Sequence, residues 1–486
     1  MKALRSAAIV AVCYATALGA ANLAGALPRH RAETAWFIAA ALAIISSLWR
    51  RAESSVATRA EQLGVSAWTL PVFVVLAVLL FAPTIAAGFF SDDFVLLSRA
   101  AAGSYSMGNG FFRPLPMVVW SGLLAVFGHT PAVFHLVNIL LHGLNAYLVT
   151  IAARSAGLSP ASGLLAGVLF LVHPVTVEAV TWVSALFDVA ATCGALVFIV
   201  GVVQDRRWWQ WAGLAAAFLS KETAVAAPVI ALAFAYPNRA RLRAAFEGLL
   251  AVGAAAALRV WLLPVPEGYA APPDRYMLKE LLSRTFGTLG APWSAADALW
   301  PAVLPIAATA AIGLLLAIAV MDVSSPRPRL VLTAFAVLVS VLPVYRYLFI
   351  SPDMENARYL YMGAAFWAIG LATAAGVRTV PAFVRAAGAA LLIVTLGAFL
   401  DANLARQRAW GDAAELRDRV LANIAPVVKA EGCDRISVTS VPDSLRGVYV
   451  FRNGFAEAVE QAAGPRAATG RDCSGNWDGE RLTLDR

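Results

Sequence analysis

Residues 68–90 read WTLPVFVVLAVLLFAPTIAAGFF and are followed at once by Ser91-Asp92-Asp93-Phe94. The run is almost wholly apolar and is long enough to cross a bilayer as a helix. Carboxylates are costly to hold beside hydrocarbon and are common at sites of chemistry. The stretch therefore predicts a membrane span that brings an acidic pair to one membrane face, where the pair is the best candidate for a general base.

The composition of the 486-residue chain is that of a membrane protein. Hydrophobic residues make up 60% of it and charged residues 14%, and its mean hydropathy is +0.70, which excludes an ordinary soluble domain. Apolar runs of spanning length recur through residues 1–410, so we expect an all-α polytopic membrane module of about thirteen transmembrane helices. The net charge of +8 does not indicate nucleic-acid binding, because the basic residues form short clusters between the apolar runs.

These basic clusters predict the orientation of the chain in the membrane. Lys2 and Arg5 precede the first apolar run, residues 7–27, which places the N-terminus in the cytoplasm. A cleaved signal peptide is the alternative for this run. The cluster Arg29-His30-Arg31 disagrees with the orientation, but the later clusters fall on the cytoplasmic side, namely Arg206-Arg207, Arg239-Arg241-Arg243, Arg327-Arg329, and Arg378 with Arg385. We therefore expect an integral membrane protein with its C-terminus outside the cytoplasm, and the Ala-rich composition points to a bacterial inner membrane with a periplasmic C-terminus.

The apolar region from Trp208 to Tyr236 is interrupted by Ser220-Lys221-Glu222. One continuous helix would bury Lys221 in the middle of the membrane. It would also place the cluster Arg239-Arg241-Arg243 on the outer side. Two short spans that turn near Lys221 at the outer face satisfy the orientation rule better.

The tail, residues 411–486, has the composition of a small soluble domain. Glu415 to Lys429 has helical spacing, whereas Arg435 to Val441 and Val448 to Phe451 have the pattern of strands. We therefore predict an extracytoplasmic α/β domain. Its two cysteines, Cys433 and Cys473, either form a disulfide, which an oxidising compartment would permit, or remain free thiols.

Polar residues concentrate in five outer loops under this topology, the first being residues 91–130. The acids and bases of these loops fall on one face of the membrane, which predicts a single outward cavity rather than a channel. The candidate binding residues in or beside the loops are Arg113, His173, Glu178, Asp188, Lys221, Glu222, Arg358 and Tyr359.

One span carries a narrow polar stripe. Its members, His135, Asn138, His142 and Asn145, recur at intervals of three, four and three residues, which is one face of a helix. Such stripes either hold helices together or line a cavity, and we favour the first. Metal binding by these histidines with His173 is weakly indicated, since no carboxylate stands among them at ligand spacing.

Five short motifs follow one another between Ser91 and Met362. They are Phe112-Arg113-Pro114-Leu115; Phe134-His135-Leu136-Val137-Asn138 with Leu141-His142; His173-Pro174 with Glu178-Ala179-Val180 and Asp188; Leu219-Ser220-Lys221-Glu222; and Arg358-Tyr359-Leu360-Tyr361. In this order they resemble the transmembrane and tetratricopeptide-repeat O-mannosyltransferases, part of the GT-C glycosyltransferases.

The resemblance implies a multi-span enzyme that takes a sugar from a polyprenyl-phosphate carrier and inverts the anomeric carbon in one displacement. It also implies a catalytic acidic pair in the first outer loop, which Asp92-Asp93 matches. A divalent metal occurs in parts of the wider group, and nothing in this sequence demands one. Membrane lipids are further expected partners.

Two departures from the family are visible. The repeats are replaced by the tail, which is too short for a helical-repeat array, so the acceptor stays open between a protein, a lipid and a glycan. Phe187 stands where an Arg often precedes the aspartate matched by Asp188, which leaves the role of Asp188 open.

The chemistry assigns roles to these residues. A sugar on a lipid phosphate has a good leaving group, so catalysis needs a base for the acceptor hydroxyl and cations for the departing phosphate. We assign the base to Asp92, with Asp93 orienting the acceptor or sharing the role, or the two in the reverse order. Arg113, Lys221 and Arg358 are the candidate phosphate ligands.

Each assignment has a structural alternative. The alternatives are a helix cap for Asp92-Asp93, a local ion pair for Lys221-Glu222, a headgroup anchor for Arg358, an interfacial belt for Tyr359 and Tyr361, and helix packing for Glu178 and Asp188.

The competing function is a transporter or flippase of a lipid-linked substrate. The acids cluster on one face and the two halves show no convincing repeat, which favours a transferase.

Overall fold

The computed structural model describes residues 64–104, 111, 113–262, 275–292, 308–316, 326–376, 381–464 and 471–484. Within these ranges the chain is mainly helical, with a small sheet region near its C-terminal end, as the sequence predicts. The first predicted span, residues 7–27, lies outside the described residues, as do Phe112 and Arg378.

The helices are numbered in chain order: α1 Thr69–Phe81, α2 Asp92–Ala101, α3 Pro114–Phe127, α4 Pro131–Ser155, α5 Pro160–Val172, α6 Thr176–Thr181, α7 Leu186–Val203, α8 Arg207–Ser220, α9 Ala226–Ala235, α10 Arg239–Leu262, α11 Arg275–Gly290, α12 Pro326–Val341, α13 Tyr361–Ala375, α14 Ala382–Ala430 and α15 Phe455–Ala463. Residues 308–316 are also helical. Several of these helices begin at a proline, whose missing N–H costs nothing in the first turn.

Five helical segments among the described residues are long and apolar enough to cross a membrane. They are Pro131–Ser155, Val183–Val203, Arg239–Leu262, Arg329–Tyr347 and Ala382–Ala430. Four shorter apolar segments are Thr69–Thr84, Pro114–Phe127, Pro160–Val172 and Glu222–Ala235. The polytopic helical class is therefore confirmed, while the total of thirteen spans stays a prediction.

The segment expected to span from Trp68 to Phe90 is helical over only part of that length. Helix α1 ends at Phe81 and a 3₁₀ turn, Ala82–Thr84, follows. Pro83 lies within this turn, and a proline cannot supply the N–H that a continuing helix needs. The remaining residues before the acidic pair are not helical, so the prediction of one uninterrupted span was wrong here.

Helix α7 lies at the centre of the bundle and packs against α4, α8 and α9. Its contact with α8 is close because glycines face each other. A Cβ added at Gly194 would lie 2.4 Å from the backbone nitrogen of Ala217, and one at Gly213 would lie 2.5 Å from that of Phe198. Small residues at such crossings let two helix backbones approach and maximise their van der Waals contact.

We predict that Gly194→Ala destabilises the protein by about 1–3 kcal/mol, because the new methyl group has no space against the α8 backbone. Thermal unfolding in detergent measures the change. Gly253→Ala on α10 is the matched control, since a Cβ there meets nothing within 4 Å. Equal melting temperatures for the two variants would contradict this account of the α7–α8 contact.

The helical structure is interrupted at Lys221, as the sequence predicts. Helix α8 ends at Ser220, Lys221 has extended dihedral angles, and the 3₁₀ turn Glu222–Val225 leads into α9. Both α8 and α9 pack against α7. Lys221 lies beside Asp188, near the start of α7.

Basic residues predicted to share one side of the membrane gather at the opposite end of α7. Arg207 pairs with Glu247 on α10 at 2.5 Å, and Arg241 pairs with Asp205 at 3.3 Å. Gln204 donates a hydrogen bond to Ser155 at the end of α4. These two clusters and the acidic pair therefore lie at opposite ends of α7, while the orientation of the chain in the membrane stays a prediction.

The tail forms a small α/β unit. Strands β1 Arg435–Thr439, β4 Asp472–Trp477 and β5 Leu482–Leu484 form a sheet in the order β1-β4-β5, with β1 and β4 parallel. Strands β2 Ser444–Leu445 and β3 Val448–Tyr449 form an antiparallel hairpin. The predicted helix from Glu415 to Lys429 is the last third of α14, which runs unbroken for 49 residues through the expected boundary at residue 411.

Cys433 and Cys473 form a disulfide that links the end of α14 to β4. The bond closes a loop of 40 residues, and the chain-entropy model attributes about 4 kcal/mol to a loop of that size.

We predict that replacing both cysteines by Ser lowers the melting temperature of the oxidised protein and leaves that of the reduced protein unchanged. Melting curves with and without a reductant test this, and identical curves for the oxidised wild type and variant would contradict it.

Candidate active site

The two aspartates of the acidic pair have different surroundings at the start of α2. Asp93 is fully buried: its carboxylate accepts hydrogen bonds from the N–H of Phe90 at 2.9 Å, the N–H of Ser184 at 2.7 Å and the Ser184 hydroxyl. Burial raises the pKa of Asp93 to about 7, although these donors oppose the shift. Asp93 therefore joins α2 to the turn before α7, and it does not line the cavity described below.

Asp92 is partly exposed and lines a cavity of about 730 Å³. The side-chain amide of Asn453, from the tail, donates a hydrogen bond of 2.6 Å to Asp92 Oδ1. Neither aspartate makes a side-chain cap for α2, whose N-cap residue is Ser91. The capping alternative is therefore wrong for this pair.

The cavity wall carries an excess of positive charge. Its lining includes two acids and four arginines, namely Asp92, Glu355, Arg284, Arg346, Arg358 and Arg452. Guanidinium groups grip phosphate and carboxylate oxygens through two parallel hydrogen bonds. The arrangement suits an anionic group placed within reach of one partly exposed carboxylate.

Arg358 is held by several contacts. Its backbone N–H donates to Glu178 Oε2 at 2.9 Å, and its guanidinium forms an ion pair with the same carboxylate. The guanidinium carbon lies 4.6 Å from the ring centroids of both Trp182 and Tyr359, distances at which cation–π attraction contributes. The side chain is 12% exposed, which is more burial than a headgroup anchor would need.

A second pair of ions lies behind the cavity wall. Lys221 Nζ lies 2.5 Å from Asp188 Oδ1 and 4.9 Å from the ring centroid of Tyr359. Burial lowers the pKa of Lys221 to about 8, and Asp188 opposes this shift by favouring the charged ammonium. The ring of Tyr359 thus contacts two cations, Lys221 and Arg358.

Arg113 and Glu222 form a third pair, with guanidinium nitrogens 2.8 and 2.9 Å from Glu222 Oε2. The guanidinium also lies 5.1 Å from the ring centroid of Phe187. Because Glu222 pairs with Arg113, and Lys221 pairs elsewhere, the alternative of a local Lys221–Glu222 ion pair is wrong.

The predicted site residues thus separate into groups. Asp92, Arg358 and Tyr359 line the cavity. Behind them lie buried or partly buried partners, namely Asp93, Arg113, Glu178, Asp188, Lys221 and Glu222. His173 lies apart from both groups: it is fully buried, its ring is 4.5 Å from that of Phe399, and its Nε2 is 3.2 Å from the Leu289 carbonyl oxygen. Its surroundings therefore give it a packing role.

The polar stripe of α4 holds helices together, as the favoured prediction states. Asn138 donates to the Trp182 carbonyl oxygen at 2.8 Å, and Asn145 donates to that of Val189 at 3.1 Å. His142 Nδ1 lies 2.8 Å from the Tyr361 hydroxyl, which is buried rather than interfacial. Among the described residues no group of three His, Cys, Asp or Glu side chains is arranged to hold a metal ion.

Several lining residues were not assigned to the site from the sequence. Arg284 and Arg346 lie in predicted outer loops, and their charge was the available signal. Tyr449, Arg452 and Asn453 come from the tail, where no local pattern indicates that the segment packs against the membrane module.

Two curated proteins are similar to part of this chain. Protein O-mannosyl-transferase Tmtc2 of Drosophila melanogaster is 32% identical over 199 residues, which cover 37% of this chain and 21% of that protein. Protein O-mannosyl-transferase Tmtc1 of the same organism is 30% identical over 181 residues, which cover 31% of this chain and 21% of that protein.

The alignments therefore span about a fifth of the length of each of these proteins. No family model matches the chain. No solved structure matches it either. Over about a third of its length, the chain is related to the O-mannosyltransferases that its motifs resemble.

Proposed function

We propose that the chain is a membrane glycosyltransferase that moves a sugar from a polyprenyl-phosphate carrier to an acceptor hydroxyl, with inversion at the anomeric carbon. The observation that carries this proposal is that Asp92 and Arg358 line one cavity, at the end of α7 opposite Arg207 and Arg241. The related proteins are named as protein O-mannosyltransferases, so mannose and a protein hydroxyl are the first donor sugar and acceptor to test.

The proposed reaction is a single displacement. Asp92 accepts the proton of the acceptor hydroxyl while that oxygen attacks the anomeric carbon of the sugar. The bond from this carbon to the phosphate oxygen breaks, and the phosphate leaves with the electron pair on its carrier lipid. Arg358 stabilises the charge that develops on the phosphate, in a geometry fixed beforehand by Glu178 and the surrounding rings.

The buried pairs behind the wall support this geometry. Lys221 and Arg113 act through Tyr359 and Glu222 rather than by direct contact with the phosphate, because both cations lie outside the cavity lining and are paired with buried or partly buried carboxylates. The positive-inside pattern supports a cavity on the outer face, with the N-terminus in the cytoplasm and the C-terminus outside.

The test is sugar transfer by the purified chain in proteoliposomes. A panel of radiolabelled polyprenyl-phosphate sugars is supplied with membrane extract as the source of acceptors. We expect label from one donor, polyprenyl-phosphate mannose first, to become covalently attached to the acceptor fraction. Movement of labelled lipid between leaflets without any covalent product would overturn the proposal and favour a flippase.

A further inference from the structure

The segment of the tail from Val448 to Gly454 lies against the start of α2. The N–H of Ser91 donates to the Val450 carbonyl oxygen at 3.0 Å, and the N–H of Asn453 donates to the Ser91 hydroxyl at 3.2 Å. A Cβ added at Gly454 would lie 2.6 Å from the Ser91 carbonyl oxygen. The tail backbone therefore contacts Ser91 at its N–H, at its hydroxyl and beside its carbonyl oxygen.

Ser91 has an unusual backbone conformation, with φ +46° and ψ −115°. Non-glycine residues adopt positive φ at a cost in free energy, and they persist only where surrounding contacts hold them. At Ser91 the tail supplies such contacts. The direction in which Asp92 leaves the backbone thus depends on the docked tail.

Helix α14 contacts the residues that precede Ser91 through the side chain of Arg417. Arg417 donates hydrogen bonds to the carbonyl oxygens of Ala87 and Phe89, at 2.6 and 2.9 Å, and its guanidinium lies 4.8 Å from the ring centroid of Phe90. Arg417 is itself almost fully buried. The approach to the acidic pair is therefore fixed by residues that follow position 411.

Asn453 makes the direct contact with the acid. Its amide nitrogen lies 2.6 Å from Asp92 Oδ1, and both residues line the cavity. An amide N–H can only donate to a carboxylate oxygen, so this bond fixes the rotation of the carboxylate plane. When Oδ1 is engaged in this way, the direction of Oδ2 is set, and this second oxygen is the one suited to accept a proton.

We propose that Asn453 is a positioning residue for Asp92, so that the disulfide-bonded tail completes the catalytic centre of the membrane module. This inference rests on the proposed transferase function. It predicts that Asn453 affects the rate of the chemical step, and that it does so through the orientation of Asp92 rather than through the affinity for either substrate.

The experiment compares kcat and KM for transfer among Asn453 variants that keep the melting temperature of the wild type. We expect Asn453→Ala to lower kcat about ten- to a hundredfold, as for the loss of a hydrogen bond to a charged group, with both KM values within about twofold. Asn453→Gln, which retains the amide, is expected to recover most of the rate. Asn423→Ala is the control, because Asn423 is exposed on α14 and donates to the Arg419 carbonyl oxygen in the same helix.

The outcomes separate this inference from the function on which it rests. If transfer requires Asp92 but Asn453→Ala retains the wild-type kcat, the positioning role is wrong and the transferase proposal stands. A raised KM at unchanged kcat would also overturn the inference, since it would make Asn453 a substrate contact. Absence of transfer by the wild type with every donor would overturn both.

Discussion

Replacing Asp92 by Asn is expected to slow sugar transfer by about 100- to 10,000-fold, the range that a general base contributes. The substitution keeps the shape of the side chain and removes its ability to accept a proton from the acceptor hydroxyl. Because Asp92 is partly exposed and Asp93 makes the buried hydrogen bonds, the fold should not change. The measurement is the rate of covalent labelling by the donor that the wild type uses, together with the melting temperature.

The control for this variant is Glu460→Gln, which removes an exposed carboxylate on α15 of the tail outside the cavity lining. It should transfer at the wild-type rate. Full activity of Asp92→Asn combined with inactivity of a folded Asp93→Asn would reverse the roles of the two aspartates. Full activity of both variants would remove the acidic pair from the mechanism.

Removal of the Arg358 side chain is expected to have the second large effect. Arg358→Ala leaves Glu178 buried without its partner, and loss of one member of a buried ion pair costs about 3–5 kcal/mol of stability. The same variant also loses the guanidinium that faces the cavity, so transfer should be lost as well. Thermal unfolding and the transfer assay measure the two losses separately.

A double variant distinguishes the structural loss from the functional one. Glu178→Gln with Arg358→Met removes both charges and is expected to recover much of the stability, while transfer stays absent. Arg408→Ala, an exposed arginine on α14, controls for the general loss of a positive charge. Wild-type transfer by the stable double variant would show that Arg358 serves the fold alone.

The sequence was sufficient to predict the features that rest on local signals. The break at Lys221 could be predicted because a charge in an apolar run is costly and the basic clusters must keep to one side. The sequence limited the partners of Cys433 and Cys473 to each other within the tail, and the structure decides between the bond and two free thiols in favour of the bond. The sequence made Arg358 a candidate because a cation at a span end indicates either a functional site or a headgroup anchor. The structure places it in the cavity lining.

The features that depend on tertiary packing could not be predicted. The sequence Asp92-Asp93 gives no indication of which carboxylate is buried, since both lie in the first turn of α2 and contacts such as the one with Ser184, 91 positions away, distinguish them. The docking of Asn453 against Asp92 joins residues 361 positions apart, and no periodicity carries information over that distance. Pro83 was the overlooked local signal for the early end of α1.

The most direct test of the central claim is a structure of the chain in lipid nanodiscs with bound polyprenyl phosphate. We predict that the phosphate lies in the cavity against the guanidinium of Arg358, with Asp92 facing the side from which an acceptor would attack. A phosphate bound at the opposite end of α7, among the basic residues around Arg207 and Arg241, would contradict the account.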